Sequence, residues 1–238
     1  MDKNAIEFLI KAKKATYTGK GTQTDTSRPD LRDLQYSEGH LKYMENIYYR
    51  NKKNMMLFNE ELYLNDINLL DFNNSKIILR NAVRAIILRE NNILMVLLGK
   101  TNEYKFPGGG IEENEKIEEA LKREVLEETG RNVIKIIKKI GVITEYRIAM
   151  EGKNNIFKMI SEYYVVNIDN SQIDQKLDNY EKELLFKPCW TEIETAYKTN
   201  KKIIDDKNDS TPWIMRETRV LDIINKDIKL NGVRHYFA

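Results

Sequence analysis

The chain has 238 residues, enough for one large or two smaller domains. Lys and Arg total 39 against 37 Asp and Glu, a formal charge of +2, so no charge imbalance selects a nucleic acid or a membrane surface as the main partner. Hydrophobic residues at 41% beside charged residues at 32% are ordinary for a soluble globular protein, and no apolar run approaches a membrane span. Cys189 is the sole cysteine, which excludes an intrachain disulfide and fits a reducing cytoplasm.

Residues 2–15 carry Ile6, Leu9 and Ile10 at helical spacing, with Lys11, Lys13 and Lys14 toward water, and are expected as a short amphipathic helix. This apolar patch is too short and too charged for a signal peptide. Gly19-Lys20-Gly21-Thr22 lacks the spacing of a phosphate loop, which needs Gly, then any four residues, then Gly-Lys-Ser/Thr. Leu41, Tyr43 and Ile47, followed by Tyr48 and Tyr49, are compatible with short strands of a small α+β unit. The stretch from Ala12 to about Tyr49 is similar to a small uncharacterised bacterial module, a resemblance that carries no activity. Tyr17, Arg28, Tyr36 and His40 are candidates to line a small site there, against the plainer reading of ordinary core and surface residues. Residues 55–72 show no clear period. Asn73-Asn74-Ser75 reads as a turn and as the boundary between residues 1–75 and residues 76–238.

Beyond the boundary the pattern sharpens. Ile77–Arg89 is expected as a strand, Glu90-Asn91-Asn92 as a hairpin turn and Ile93–Leu98 as the returning strand. Phe106-Pro107 then ends the extended run, because proline removes a donor and fixes φ. Gly108, Gly109 and Gly110 follow, and from about Asn114 the helical period takes over. Ile117, Leu121 and Val125, with Ala120, form an expected buried stripe, and Gly130 sits where a left-handed residue ends a helix. Val133–Arg147 and Phe157–Ile168 read as strands, and Phe186–Trp190 follows a polar segment. Cys189 reads as a buried structural residue beside Trp190. Helices are expected around Glu192–Thr199 and over Pro212–Lys226, with Leu230–Ala238 as a loose tail.

The other face of the helix before Gly130 carries the chemistry. Glu124, Glu127 and Glu128 are spaced i, i+3, i+4 and share one patch. Like charges at this spacing cost roughly 0.2–0.5 kcal/mol per pair, and acids in a last turn oppose the helix dipole. A divalent cation reverses that balance, since Mg²⁺ takes oxygen ligands from a few carboxylates and from substrate phosphates. Arg123 is placed to hold one of the carboxylates through a bidentate pair. The plainer alternative, a solvated acidic face, leaves the adjoining glycine loop unexplained.

Gly109, Glu115, Arg123, Glu124, Val125, Glu127, Glu128 and Gly130 fall at the spacing Gly, five residues, Glu, seven residues, Arg-Glu-apolar-x-Glu-Glu-x-Gly. This resembles the Nudix box of the Nudix hydrolase superfamily, over roughly residues 76–228. One position departs: Arg131 stands where an apolar residue is usual, and Val133 is the candidate to fill that space.

The resemblance implies an α/β fold: a Nudix α/β/α sandwich with a mixed sheet, here preceded by the small α+β N-terminal domain. It implies hydrolysis of a phosphoanhydride in a nucleoside diphosphate derivative, with Mg²⁺, or Mn²⁺ in its place, on Glu124, Glu127, Glu128 and the Gly109 carbonyl. Arg123 then orients Glu124, and Glu115 supports the loop. Glu127 or Glu128 is a candidate general base, as are Glu145 and Glu162 outside the box. For substrate, Arg84 or Arg147 is a candidate phosphate ligand. Tyr146, Phe157, Tyr163 and Trp190 are candidate base-stacking rings, though core packing is the default for each. A nucleoside triphosphate pyrophosphohydrolase is the leading expectation. The alternative is a non-catalytic nucleotide sensor read out by the N-terminal domain, which would otherwise serve as a partner-binding unit, a substrate lid or the arm of a homodimer.

Overall fold

Two apolar strands separated by a polar turn usually make a hairpin, but here the first strand is shared between sheets. In the computed structural model, which describes residues 56–64, 75–149, 155–171 and 173–237, β2 (Ile77–Ile86) ends before Ile87, and β3 (Leu88–Arg89) pairs with β4 (Asn92–Leu98) in another sheet. β2 instead runs parallel to β7 (Ile156–Ile168). β7 is antiparallel to β6 (Val133–Ile148), and β6 is parallel to β1 (Phe58–Tyr63). The order β1-β6-β7-β2 is thus a mixed sheet, as expected. A smaller antiparallel sheet places β4 between β5 (Tyr104–Lys105) and β8 (Phe186–Glu192), with β3 paired to the start of β4.

Helices cover both sides, giving the α/β/α arrangement. Helix α1 (Ile117–Thr129) buries Ala120, Leu121 and Val125 against Val83, Ala85, Leu94 and Val166. Val133 joins this cluster, and Arg131 turns outward to donate to the carbonyls of Asn170 and Ser171, both at 2.9 Å. The departure after the box is therefore compensated as expected. Ile117 is a correction to the expected stripe. It is the first residue of the helix and is 38% exposed, because the chain enters α1 there, at Lys116, and not at Asn114.

On the opposite side, α3 (Ile193–Asp205) and α4 (Ile214–Asn231) cover Ile86, Met95, Ile143, Tyr163 and Val165 with Ala196, Val220, Leu221 and Ile224. Both helices run further than their sequence periods suggested. The segment after α4 is not a loose tail. A 3-10 turn over Val233–Tyr236 seats Tyr236, 1% exposed, in this same core, and Lys138 donates to the His235 carbonyl at 2.6 Å.

The compact unit containing the box begins at Met56, upstream of the turn read as the boundary. Phe58 explains why residues 58–63 join the sheet. Its ring lies over Gly141 of β6 and meets Tyr163 edge-on at 5.4 Å. The expected N-terminal helix, the glycine stretch at Gly19–Thr22 and the candidates Tyr17, Arg28, Tyr36 and His40 lie outside the described residues.

Candidate active site

The glycine loop is laid along β2 as an irregular extra edge. The Ala85 amide donates to the Pro107 carbonyl at 2.8 Å, the Val83 amide to Gly109 at 3.0 Å, and Ile111 donates back to Asn81 at 3.0 Å. This contact leaves no space for side chains. Gly108 has φ +138, and a Cβ there would overlap the Val83 carbonyl. Gly109 is closed for another reason: its Cα faces the Glu124 carboxylate, which a Cβ would strike. The loop therefore brings its own backbone against the acidic face of α1.

The far end of α1 is held by the segment after β7. The Lys176 amide donates to the Glu127 carbonyl at 2.9 Å, Gln175 Nε2 to the Glu128 carbonyl at 2.5 Å, and the Gly130 amide closes on Leu126 at 2.9 Å with Gly130 at φ 66. These donors satisfy terminal carbonyls that the helix cannot pair internally. They also fix the turn that carries Glu127 and Glu128.

Arg123 is the hub of the carboxylates. It grips Glu115 with two bonds, Nε to Oε1 and Nη2 to Oε2, both 2.8 Å. Its Nη1 donates to Glu124 Oε1 at 2.8 Å and Glu127 Oε2 at 3.2 Å, and Nη2 also reaches the Gly110 carbonyl at 3.0 Å. Glu115 holds the guanidinium proton more firmly than usual, and the Arg123 guanidinium in turn holds the Glu115 carboxyl below its ordinary range. One oxygen each of Glu124 and Glu127 carries no hydrogen bond among the described residues.

Glu128 has a different environment. It is 1% exposed; Oε2 accepts the Gly108 amide at 2.9 Å and Oε1 accepts the ammonium of Lys105. Burial pushes its carboxyl up to about 7, with Lys105 pulling it back and Glu124 adding to the rise. Lys105 also donates to the Gly108 carbonyl at 3.2 Å, which accepts Arg84 Nη1 as well. Arg84 is buried, and its Nε has no hydrogen-bond partner among the described residues.

The structure thus brings Glu115, Arg123, Glu124, Glu127, Glu128, Gly109 and Arg84 to one loop and helix face. The other candidates have engagements elsewhere. Glu145 is 1% exposed and paired with Arg216 at 2.8 Å and Arg147 at 3.6 Å. Glu162 pairs with Lys139 at 2.9 Å and accepts the Tyr164 hydroxyl. Tyr146 stacks on Tyr63 at 4.9 Å, and Tyr163 packs in the core. Phe157 lies under the Arg147 guanidinium at 4.1 Å, Trp190 under that of Arg89 at 4.6 Å, and Cys189 is half-buried. Sequence reasoning missed Lys105, which precedes the Phe-Pro pair and reads as the end of a strand.

Open oxygens on two carboxylates, fixed by one arginine, suit a hard divalent cation that keeps sites for substrate phosphate. Among the described residues no three acidic, histidine or cysteine groups converge on a single point.

A family model described as NUDIX domain matches residues 78–214. No curated protein sequence matches the chain. Among solved structures, the chain is similar to the ORF135 protein of E. coli, at 17% identity and TM-score 0.43, over 68% of this chain and 99% of that one. It is similar to a MutT NUDIX hydrolase from Burkholderia pseudomallei, at 16% identity and TM-score 0.42, over 62% and 98%. A NUDIX hydrolase from Nitrosomonas europaea gives 21% identity and TM-score 0.41, over 62% and 88%. With the matched model spanning more than half of the chain and the box geometry intact, the protein belongs to the Nudix superfamily and is a hydrolase of pyrophosphate bonds.

Proposed function

We propose that the protein is a Mg²⁺-dependent pyrophosphohydrolase of nucleoside triphosphates, with Mn²⁺ able to replace Mg²⁺. The observation that carries this reading is the pair of open carboxylate oxygens on Glu124 and Glu127, held by Arg123 beside the cations Lys105 and Arg84.

Glu124 and Glu127, with the second lone pair of the Gly109 carbonyl, are the donors for the cation. When bound, the cation neutralises diphosphate oxygens and lowers the pKa of a nearby water. The remaining work falls to side chains. Phosphoryl substitution needs positioning and charge neutralisation more than covalent chemistry. Arg84 offers its unpartnered Nε to a phosphate oxygen, and Arg123 keeps Glu124 and Glu127 from splaying apart. Glu145 and Glu162 are already bound to cationic partners, which favours a carboxylate of the α1 face as the group that takes the proton from the attacking water.

Helix α2 (Asn179–Glu183), which carries Glu181, follows directly on Gln175 and Lys176, the residues that cap α1. Next to Glu181, Tyr180 presents an exposed ring that meets Trp213 edge-on at 6.2 Å. We assign base stacking to Tyr180 because the ring of Tyr146 is already covered by Tyr63. Among the described residues no helix is long and apolar enough to cross a membrane, and the single cysteine favours a reducing cytoplasm.

The test is a panel of nucleoside triphosphates, sugar nucleotides and dinucleotides, with products separated by ion exchange. Release of nucleoside monophosphate and pyrophosphate from a triphosphate is the expected result. Turnover confined to sugar nucleotides or dinucleotides would overturn the triphosphate assignment.

A further inference from the structure

β2 carries two arginines, Arg80 and Arg84, four residues apart and on the same face of the sheet. That face is the one covered by α4. Tyr163, in register with Arg84, packs among the α4 residues, and Met159, in register with Arg80, receives Arg216 Nη1 at 3.1 Å. The carboxylates of this face are already taken. Arg216 holds Glu145 at 2.8 Å and Glu217 at 2.7 Å, and Arg147 lies 3.6 Å from Glu145. Neither Arg80 nor Arg84 forms an ion pair among the described residues.

Arg80 is seated against the glycine loop. A Cβ on Gly110 would lie only 2.8 Å from Arg80 Nη2 and 2.9 Å from its Nε. The box spacing asks for glycine at 109 and not at 110, and Gly110 does not have the positive φ of Gly108. Its missing side chain therefore serves the close approach of the Arg80 guanidinium. Between the two arginines the floor is made of small residues. Gly110 bridges to Ala82, and Ala82 is in register with Ser161 of β7.

That floor also holds polar atoms with nothing to bind. Ser161 and Tyr163 are both 0% exposed, and neither hydroxyl has a hydrogen-bond partner among the described residues. The Nε of Arg84 is in the same condition. Buried polar groups are nearly always paired, and all three of these can donate. One row from the glycine loop to β7 thus offers donors and positive charge without an acceptor. A neutral sugar or a base would leave the guanidinium charges unmatched, whereas phosphate oxygens match both charge and donors. Arg84 touches the loop at Gly108, and Arg80 touches it at Gly110. Four residues of strand, about 13 Å, separate the two on β2, so they serve different phosphate groups.

We propose that Arg80, with the Ser161 hydroxyl beside it, forms a subsite for a further phosphate group, so that the substrate is a nucleotide carrying one phosphate more than a triphosphate. That the phosphate belongs to a nucleotide rests on the function proposed above, while the subsite itself stands on Arg80, Gly110 and Ser161. A phosphate that lengthens the 5′ chain and one carried on the ribose present the same chemistry to Arg80.

Calorimetry on the full chain in EDTA reads binding without turnover. The probes are adenosine 5′-triphosphate, adenosine 5′-tetraphosphate and adenosine 3′-phosphate 5′-triphosphate. One of the two longer probes should bind about 10-fold more tightly than the triphosphate, and which one does so places the group on the chain or on the ribose. Arg80→Gln should bring that ratio close to 1, and Arg80→Lys, which keeps the charge, should restore part of it. Equal affinity for all three probes would overturn the proposal, as would an advantage that survives in Arg80→Gln. Absence of Mg²⁺-dependent turnover of every probe would instead remove the nucleotide hydrolase reading, and the binding ratio would still decide the subsite.

Discussion

Arg123 shows how much one side chain organises here. A lysine at that position keeps the charge but has one ammonium for the work of a planar fork that now holds Glu115, Glu124, Glu127 and Gly110 together. Arg123→Lys should raise the Mg²⁺ concentration for half-maximal turnover by about 10–100-fold, as losses of partners behind metal ligands commonly do. An unchanged Mg²⁺ dependence would show that the carboxylates hold their places unaided. At this scale the sequence was informative where spacing alone carries the geometry. Gly109, Glu115, Arg123 and the glutamates are all set by one turn and one helix. It was uninformative for Lys105, whose burial depends on Phe186 in a distant strand. The same limit applied to Glu145, Glu162 and Tyr146, because partners far along the chain decide whether a strand carboxylate or ring is free.

Elements whose place is decided by residues far along the chain were hardest to read. β1 lacks a clean alternation in sequence, and its place depends on Phe58 meeting Gly141 and on an ion pair from Glu60 to Arg219 of α4, both bonds 2.6 Å. The bond from Arg219 depresses the Glu60 carboxyl, with burial opposing it. A depressed carboxyl contributes stability above its unfolded pKa and loses it as pH falls through the folded value. The pair is partly exposed, so its worth is about 0.5–1 kcal/mol. Glu60→Gln should lower stability by that amount at neutral pH and by less at acid pH, as the carboxyl protonates on falling through its depressed folded pKa. Urea unfolding at the two pH values checks this, and an equal loss at both would assign the effect to packing. The C-terminal turn is another such element. Tyr236→Ala should cost about 3–5 kcal/mol, the range for a buried aromatic ring, whereas a true tail would tolerate it.

For the molecule as a whole, a buried polar layer ties β6 and α4 to the active-site loop. Arg216, 1% exposed, pairs with Glu145 of β6 at 2.8 Å and with Glu217 at 2.7 Å, and Glu217 in turn accepts the Phe106 amide at the head of the glycine loop. Arg216→Met would leave two buried carboxylates without a counterion and should cost about 3–5 kcal/mol of folding stability, read as a shift in the urea midpoint. This layer was illegible in sequence, since Arg216 and Glu217 look like an exposed pair at the start of a helix. The α/β/α plan itself was legible through the resemblance of the box to the Nudix family, but the switch of β2 and β3 between sheets was not. The most direct check of the central claim is Mg²⁺-dependent turnover by the unmodified protein and by Glu127→Gln, on the substrate that the panel selects. We expect turnover that rises with Mg²⁺ and falls by about 100-fold or more in the variant. Turnover that ignores both the metal and the substitution would contradict an active site on the acidic face of α1.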